Sequence, residues 1–152
     1  MTHLKVGDKA PNFEGLDQNG NRITMDDFEG QKIALYFYPK DNTPGCTKQA
    51  CNLRDNYTEL QSNNYAVVGV SADSTNSHKK FEQKYNLPFP LIADTDKKII
   101  NEYGVWGEKK FMGRKFDGIH RVTFIIDENR NIENIIDRVK TKDHTAQILA
   151  EN

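Results

Sequence analysis

The sequence predicts an α/β fold: a central mixed sheet flanked by helices, with a small hairpin extension at the N-terminus. Two observations carry that expectation. The segments Lys32–Tyr38 and Tyr65–Ser71 are apolar at successive positions, through Ile33-Ala34-Leu35-Tyr36-Phe37-Tyr38 and Ala66-Val67-Val68 with Val70, which marks strands covered on both faces. Between them, Leu53, Tyr57 and Leu60 fall at i, i+4 and i+7, the spacing of a helix with one buried stripe.

The elements follow in order. Asn19-Gly20 lies between Phe13–Leu16 and Arg22–Thr24, a strong hairpin signal because both residues accept left-handed dihedrals. Thr24–Phe28 offers one helical turn, ended at Gly30. The strand Lys32–Tyr38 stops at Pro39, which has no amide to donate to a ladder. Thr43–Asn63 is expected to be one helix, with Thr43 as N-cap and Pro44 in the first helical position, where no donor is missed. After Tyr65–Ser71 come a helix over Thr75–Tyr85, a short strand at Leu91–Ala93 and a short helix over Lys97–Tyr103 closed by Gly104. Val122–Asp127 and Ile132–Val139 form a strand pair, and Lys142–Ala150 a last helix capped by Thr141. Tyr103, Trp106 and Phe111 are expected to pack beneath a loop, with Lys109 and Lys110 on solvated surface. This order is that of the thioredoxin architecture. No repeat or linker divides the chain, so residues 1–152 are expected to form a single domain.

Hydrophobic residues make up 36% of the chain and charged residues 28%, and the net charge is −1. That balance lacks the basic surplus of a nucleic-acid or anionic-membrane binder, so neither partner is expected. The apolar blocks fall far short of the roughly 20 residues a spanning helix needs. The opening Met1-Thr2-His3-Leu4-Lys5 has no apolar secretory core. A cytoplasmic location is therefore expected, with a monomer or weak dimer as the state.

The only cysteines are Cys46 and Cys51. In a reducing compartment such a pair is inert, metal-binding or redox-active. Structural zinc needs four ligands, and His3, His78, His120 and His144 are scattered through the sequence. No metal and no cofactor are expected.

A thiol attacks as its thiolate. At an ordinary pKa of ~8.5 only about 3% is ionised at neutral pH, and lowering that to ~6 takes about 3.4 kcal/mol of preferential thiolate stabilisation. If Thr43 caps its helix, Cys46 lies in the first turn, near free amides and the positive end of the dipole. That supplies at most ~2 kcal/mol, so a cation is needed as well. Arg121, just before the strand Val122–Asp127, is the best candidate, with Arg114 and Arg54 as alternatives that spacing leaves open. A hydroxyl at Thr43 suits a site where an O–O bond is aligned and a leaving oxygen stabilised, and Pro39 can wall out water without adding a donor.

These residues match a known pattern. Tyr38-Pro39-Lys40-Asp41-Asn42-Thr43-Pro44-Gly45-Cys46-Thr47 contains Pro-x-x-x-Thr-x-x-Cys and resembles the peroxiredoxins, in particular the bacterioferritin comigratory protein or peroxiredoxin Q branch. The similarity extends to Val6-Gly7-Asp8-Lys9-Ala10-Pro11-Asn12-Phe13 and to Gly118-Ile119-His120-Arg121-Val122-Thr123-Phe124-Ile125-Ile126-Asp127. The resemblance implies a thiol peroxidase of antioxidant defence that reduces hydrogen peroxide or alkyl hydroperoxides to water or alcohols. In it Cys46 would become a sulfenic acid, Thr43 and Arg121 would activate it, and Pro39 would shield it. The family commonly has a glutamate three residues after this cysteine, where Gln49 stands here. An amide still accepts from a guanidinium but loses the charge-assisted contact.

Cys51 follows Cys46 by five residues. On an intact helix that is ~140° of angular separation and ~8.5 Å between Cα atoms, beyond disulfide reach. A bond between them requires the helix to unwind. The resemblance implies that Cys51 resolves the sulfenic acid as an intramolecular disulfide, which thioredoxin would recycle; the plainer reading is a buried small apolar residue. His120 neighbours Arg121, and adjacent strand residues face opposite ways, so no catalytic role is expected for it. Two other functions share these cysteines: a general thiol–disulfide oxidoreductase, disfavoured because its motif is Cys-x-x-Cys, and a redox-sensing or chaperone-like binding module, which needs no peroxide-aligning pocket.

Overall fold

The computed structural model describes residues 2–150. Residues 1, 151 and 152, which the expected single domain includes, lie outside the described residues. A five-stranded sheet has the order β5-β4-β3-β8-β9, formed by β3 (Lys32–Phe37), β4 (Tyr65–Ser71), β5 (Leu91–Ala93), β8 (Val122–Ile126) and β9 (Ile132–Ile136). β3 pairs in parallel with β4 and antiparallel with β8, so the sheet is mixed and its most apolar strand is central. Alternate β3 residues serve two cores, as a two-residue strand period requires. Ile33, Leu35 and Phe37 join Ile99 and Ile100 of α4 (Lys98–Glu102). Ala34, Tyr36 and Tyr38 face the other way. There they meet Cys46, Ala50 and Leu53 of α1 (Pro44–Asp55), Leu60 of α2 (Tyr57–Ser62), Phe81 of α3 (Thr75–Tyr85) and Ile148 of α5 (His144–Leu149).

The N-terminal hairpin pairs β1 (Glu14–Leu16) with β2 (Arg22–Thr24). Its connection is wider than a two-residue turn: Asp17 Oδ1 accepts from the amides of Asn19 and Asn21, and Gly20 alone takes positive φ in it. The following 3-10 turn spans Met25–Phe28.

Four expectations are corrected. The single helix over Thr43–Asn63 is broken at Asn56, whose carboxamide donates to the Asn52 carbonyl at 2.9 Å and competes with the helical ladder. The last helix starts at His144, with Asp143 rather than Thr141 at its N-cap position. The segment after Tyr103 is no loop cover. β6 (Trp106–Phe111) and β7 (Arg114–Ile119) form a separate two-stranded hairpin, on which Trp106 and Phe111 are exposed while Tyr103 is buried. Lys110 is exposed as expected, but Lys109 is half-buried and donates to the Ile119 carbonyl at 2.9 Å.

Candidate active site

The site forms where β3 and β8 come together at one end. Phe37 pairs with Val122, so the chain leaving β3 through Tyr38 and Pro39 passes beside Arg121, which enters β8. The loop turns into α1 through Asn42, at φ +59°, where the chain's short polar asparagine is well suited. Tyr85 Oη donates to the Asn42 side chain at 3.1 Å.

Pro44 opens α1 and the Thr47 amide donates to the Thr43 carbonyl at 2.8 Å, which leaves Cys46 in the first turn among amides without helical partners. Thr43 occupies the N-cap position, but its hydroxyl does not cap. Oγ1 donates to the Lys40 carbonyl at 2.9 Å, which leaves its lone pairs free to accept.

Cys46 is buried, with 1% of its surface exposed. Arg121 Nη2 donates to its sulfur at 3.3 Å, and Nη1 donates to Gln49 Oε1 at 2.7 Å. Guanidinium nitrogens only donate, so the sulfur is the acceptor, a role a thiolate fills far better than a thiol. The other two arginines lie elsewhere. Arg54 bonds Asp55 and the Tyr85 carbonyl, and Arg114 is exposed on the hairpin. Pro39 is half-buried at the loop's start, and Cys51 is half-buried later on α1. Both thiols are free.

Sequence reasoning missed three contributors. At Gly45, an added Cβ would lie 3.2 Å from Arg121 Nη2, so glycine here permits the close approach of the guanidinium. Asp41 is the second, buried in the loop between Pro39 and Thr43. Its carboxylate accepts from Tyr38 Oη at 2.6 Å and Ser77 Oγ at 2.8 Å, and lies within hydrogen-bond distance of His78 Nδ1 at 2.6 Å. His78 is the third: its Nε2 meets the Ile92 carbonyl at 2.9 Å, so it donates there. The Asp41 amide donates to Asp73 Oδ2 at 2.8 Å. The loop is thereby fastened to Tyr38 just past β3, to Asp73 just past β4 and to α3, and His78 carries the link on to β5. His78, Asp41 and Asp73 come within metal-ligand distances of one another, yet the ligand atoms of His78 and Asp41 are already engaged by hydrogen bonds. The only sequence signal for the network is a buried-strand exit followed by Asp, and nothing linked it to His78.

Several ionisable groups are shifted around the site. Burial raises the Tyr36 hydroxyl far above its ordinary value, helped by Cys46 and Asp41 nearby. That hydroxyl and Gln49 Nε2 are buried without a hydrogen-bond partner among the described residues. Burial and the neighbouring Arg121 lower Lys109. Burial and Lys109 lower His120.

Comparison with known proteins places the chain in a family. Residues 6–135 match the AhpC/TSA family. The chain is 46% identical over 149 residues to Peroxiredoxin Bcp of Escherichia coli, covering 98% of this chain and 96% of that protein. It is 41% identical over 146 residues to Peroxiredoxin Bcp of Bacillus subtilis, covering 96% and 93%. Among solved structures it is similar to a cysteine-to-serine mutant of PrxQ from Xylella fastidiosa, with TM-score 0.92, 31% identity and coverage of 99% and 96%. Peroxidoxin BcpB from Mycobacterium tuberculosis gives TM-score 0.86, 30% identity and coverage of 98% and 96%. With its mixed sheet, its buried first-turn cysteine and these relatives, the chain belongs to the AhpC/TSA family, as a peroxiredoxin of the bacterioferritin comigratory protein or peroxiredoxin Q branch.

Proposed function

We propose that this protein is a thiol peroxidase in which Cys46 attacks the peroxide. The observation that carries the reading is the Arg121 guanidinium on the Cys46 sulfur at 3.3 Å. The Cys46 thiolate attacks one oxygen of hydrogen peroxide or an alkyl hydroperoxide, the O–O bond breaks, and the leaving oxygen takes a proton to become water or alcohol. Cys46 is left as sulfenic acid. Arg121 stabilises charge at the sulfur and the reacting oxygen, Thr43 accepts from the peroxide, and Pro39 limits water.

Cys51 then displaces hydroxide from the sulfenic sulfur. With the thiol's proton this leaves as water, and an intramolecular disulfide forms. Both cysteines sit on α1, so its first turns open for this step. Downstream of Cys51 the helix is held: Asn52 Nδ2 donates to the Lys142 carbonyl at 2.7 Å, and Asn52 Oδ1 accepts from the Thr145 amide at 2.8 Å. This supports an opening confined to the part of α1 before Asn52. An external dithiol, in our reading thioredoxin, reduces the disulfide and is itself oxidised. We place the cycle in the cytoplasm, carried by a single domain acting as a monomer or weak dimer.

Stopped-flow reaction of the reduced protein with stoichiometric hydrogen peroxide tests the first half. The rate should exceed that of free cysteine by orders of magnitude, and a rate equal to free cysteine overturns the reading. Cys51→Ser should keep the first turnover and lose thioredoxin-coupled turnover. Unchanged coupled turnover would remove the resolving role.

A further inference from the structure

Among the described residues, the β6–β7 hairpin pairs with no other strand. Its two-residue turn, Met112-Gly113, has positive φ at both positions, +52° and +79°, the geometry of the tightest β-turns. Asn, Asp or Gly is favoured at the first of these positions. Here it is Met112, 86% exposed, beside Phe111 at 67% and Phe116 at 48%. Large apolar side chains thus stand in water, one of them where backbone preference favours a polar residue.

The tip is basic, although the next exposed rung of the hairpin pairs Glu108 with Asp117. Between Lys109 and Phe116 the remaining residues besides Gly113 are Lys109, Lys110, Arg114 and Lys115, with no acid among them. Lys110 stands opposite Lys115 across the ladder, a like-charge pairing that repels and that Glu108 and Asp117, two residues down the same face, offset only on its inner side. Among the described residues Lys110, Arg114 and Lys115 form no ion pair. The net charge of −1 over the whole chain, from which no membrane partner is expected, averages this segment away.

We propose that the hairpin docks this protein on the surface of an anionic lipid bilayer. Phe111, Met112 and Phe116 enter the boundary between headgroups and acyl chains, while Lys110, Arg114 and Lys115 meet lipid phosphates. Charge complementarity selects this occupant: a lipid surface supplies an apolar layer directly beneath a plane of negative charge. The docking is independent of the chemistry at Cys46.

The protein carries its own reporter, because its single tryptophan, Trp106, begins β6. Reduced protein is mixed with vesicles of phosphatidylcholine, either pure or with roughly one third phosphatidylglycerol. It should cosediment with the anionic vesicles, change its Trp106 emission, and be released as salt rises. Phe111→Ser with Met112→Ser should weaken partitioning at least about tenfold. Lys110→Glu and Lys115→Glu should each weaken it about fivefold or more. Met112→Asn suits the turn and should hold or raise thermal stability while weakening binding, which separates docking from folding. Cys46→Ser should bind as well as the native chain, so loss of the peroxidase leaves the docking result intact. Binding to neither vesicle, equal binding to both, or binding undiminished in the hairpin variants would overturn the proposal. So would self-association or capture of thioredoxin that these substitutions abolish while vesicles remain unbound.

Discussion

Arg121 Nη2 lies 3.3 Å from the sulfur of Cys46, 75 positions away in the chain. The same guanidinium reaches Gln49 at 2.7 Å, so its fork spans one turn of α1 and points at the sulfur from a fixed direction. Removing a preorganised donor from developing charge typically costs about 100- to 1,000-fold in rate. Arg121→Ala should therefore slow peroxide consumption by that order. Arg121→Lys should recover little of it, because an ammonium cannot serve both partners as a planar fork. Stopped-flow rates under single turnover measure both.

Gly45→Ala tests the approach path of the guanidinium. The new Cβ would stand 3.2 Å from Nη2, close enough to push the arginine by a few tenths of an ångström. Alanine favours a helix by up to about 1 kcal/mol over glycine. The expected result is a slower peroxide reaction without loss of thermal stability, two readouts that a simple folding defect would move together.

Gln49→Glu places an anion beside Arg121 and near the sulfur. The carboxylate accepts the guanidinium more strongly and removes the unpartnered Nε2. An added negative charge near a thiolate disfavours it, so the acid limb of the pH–rate profile should move to higher pH. An unmoved limb would show that Arg121 fully neutralises the new charge.

Asp41→Asn tests the loop. The Asp41 carboxylate takes hydrogen bonds from Tyr38 and Ser77 and lies 2.6 Å from His78 Nδ1. An amide has one acceptor oxygen and turns two donors toward groups that donate. The variant should lose about 1–3 kcal/mol of stability. Its peroxide rate should fall even where it is fully folded, because Pro39 and Thr43 hang from this loop. Urea unfolding and single-turnover kinetics at one temperature separate the two effects.

His144 predicts an acid-sensitive fold. Its ring is fully buried, between Thr123 Oγ1 at 2.7 Å and Gln147 Oε1 at 2.9 Å. Burial, with Arg121 adding to it against the Gln147 contact, lowers its pKa from 6.5 to about 4. Above the unfolded value both states are neutral and the stability is fully present. As pH falls from 6.5 toward 4 the unfolded chain binds a proton that the folded ring refuses, so stability drops. The loss levels off below 4, at about 3 kcal/mol. Urea midpoints at about pH 7.5 and about pH 4.5 should show it, and His144→Gln should flatten the dependence.

The strands β3, β4 and β8 were legible because each is a short, dense apolar run, and full burial on both sheet faces leaves that mark in composition. α1 was legible from Thr43-Pro44 and the Leu53 stripe. The β6–β7 hairpin was not. Its strands bury almost nothing, so no apolar alternation marks them, and Met112-Gly113 is not a dipeptide that announces a turn. The break at Asn56 leaves no mark in the sequence, because a side chain competing with the ladder looks like any other polar helix residue.

The Cys46 site divides in the same way. Local sequence by itself determined that a cysteine would stand in the first turn of a helix after a buried strand, because strand burial, a proline stop and a proline-led helix are all short-range effects. The tertiary structure decided which arginine reaches it. Pairing of Phe37 with Val122 sets Arg121 beside the loop, and Gly45 leaves room for its close approach. It also decided that Asp41 and His78, 37 residues apart, hold that loop together. Such contacts depend on register and on the space left between packed elements, and neither is written in any one segment of the chain.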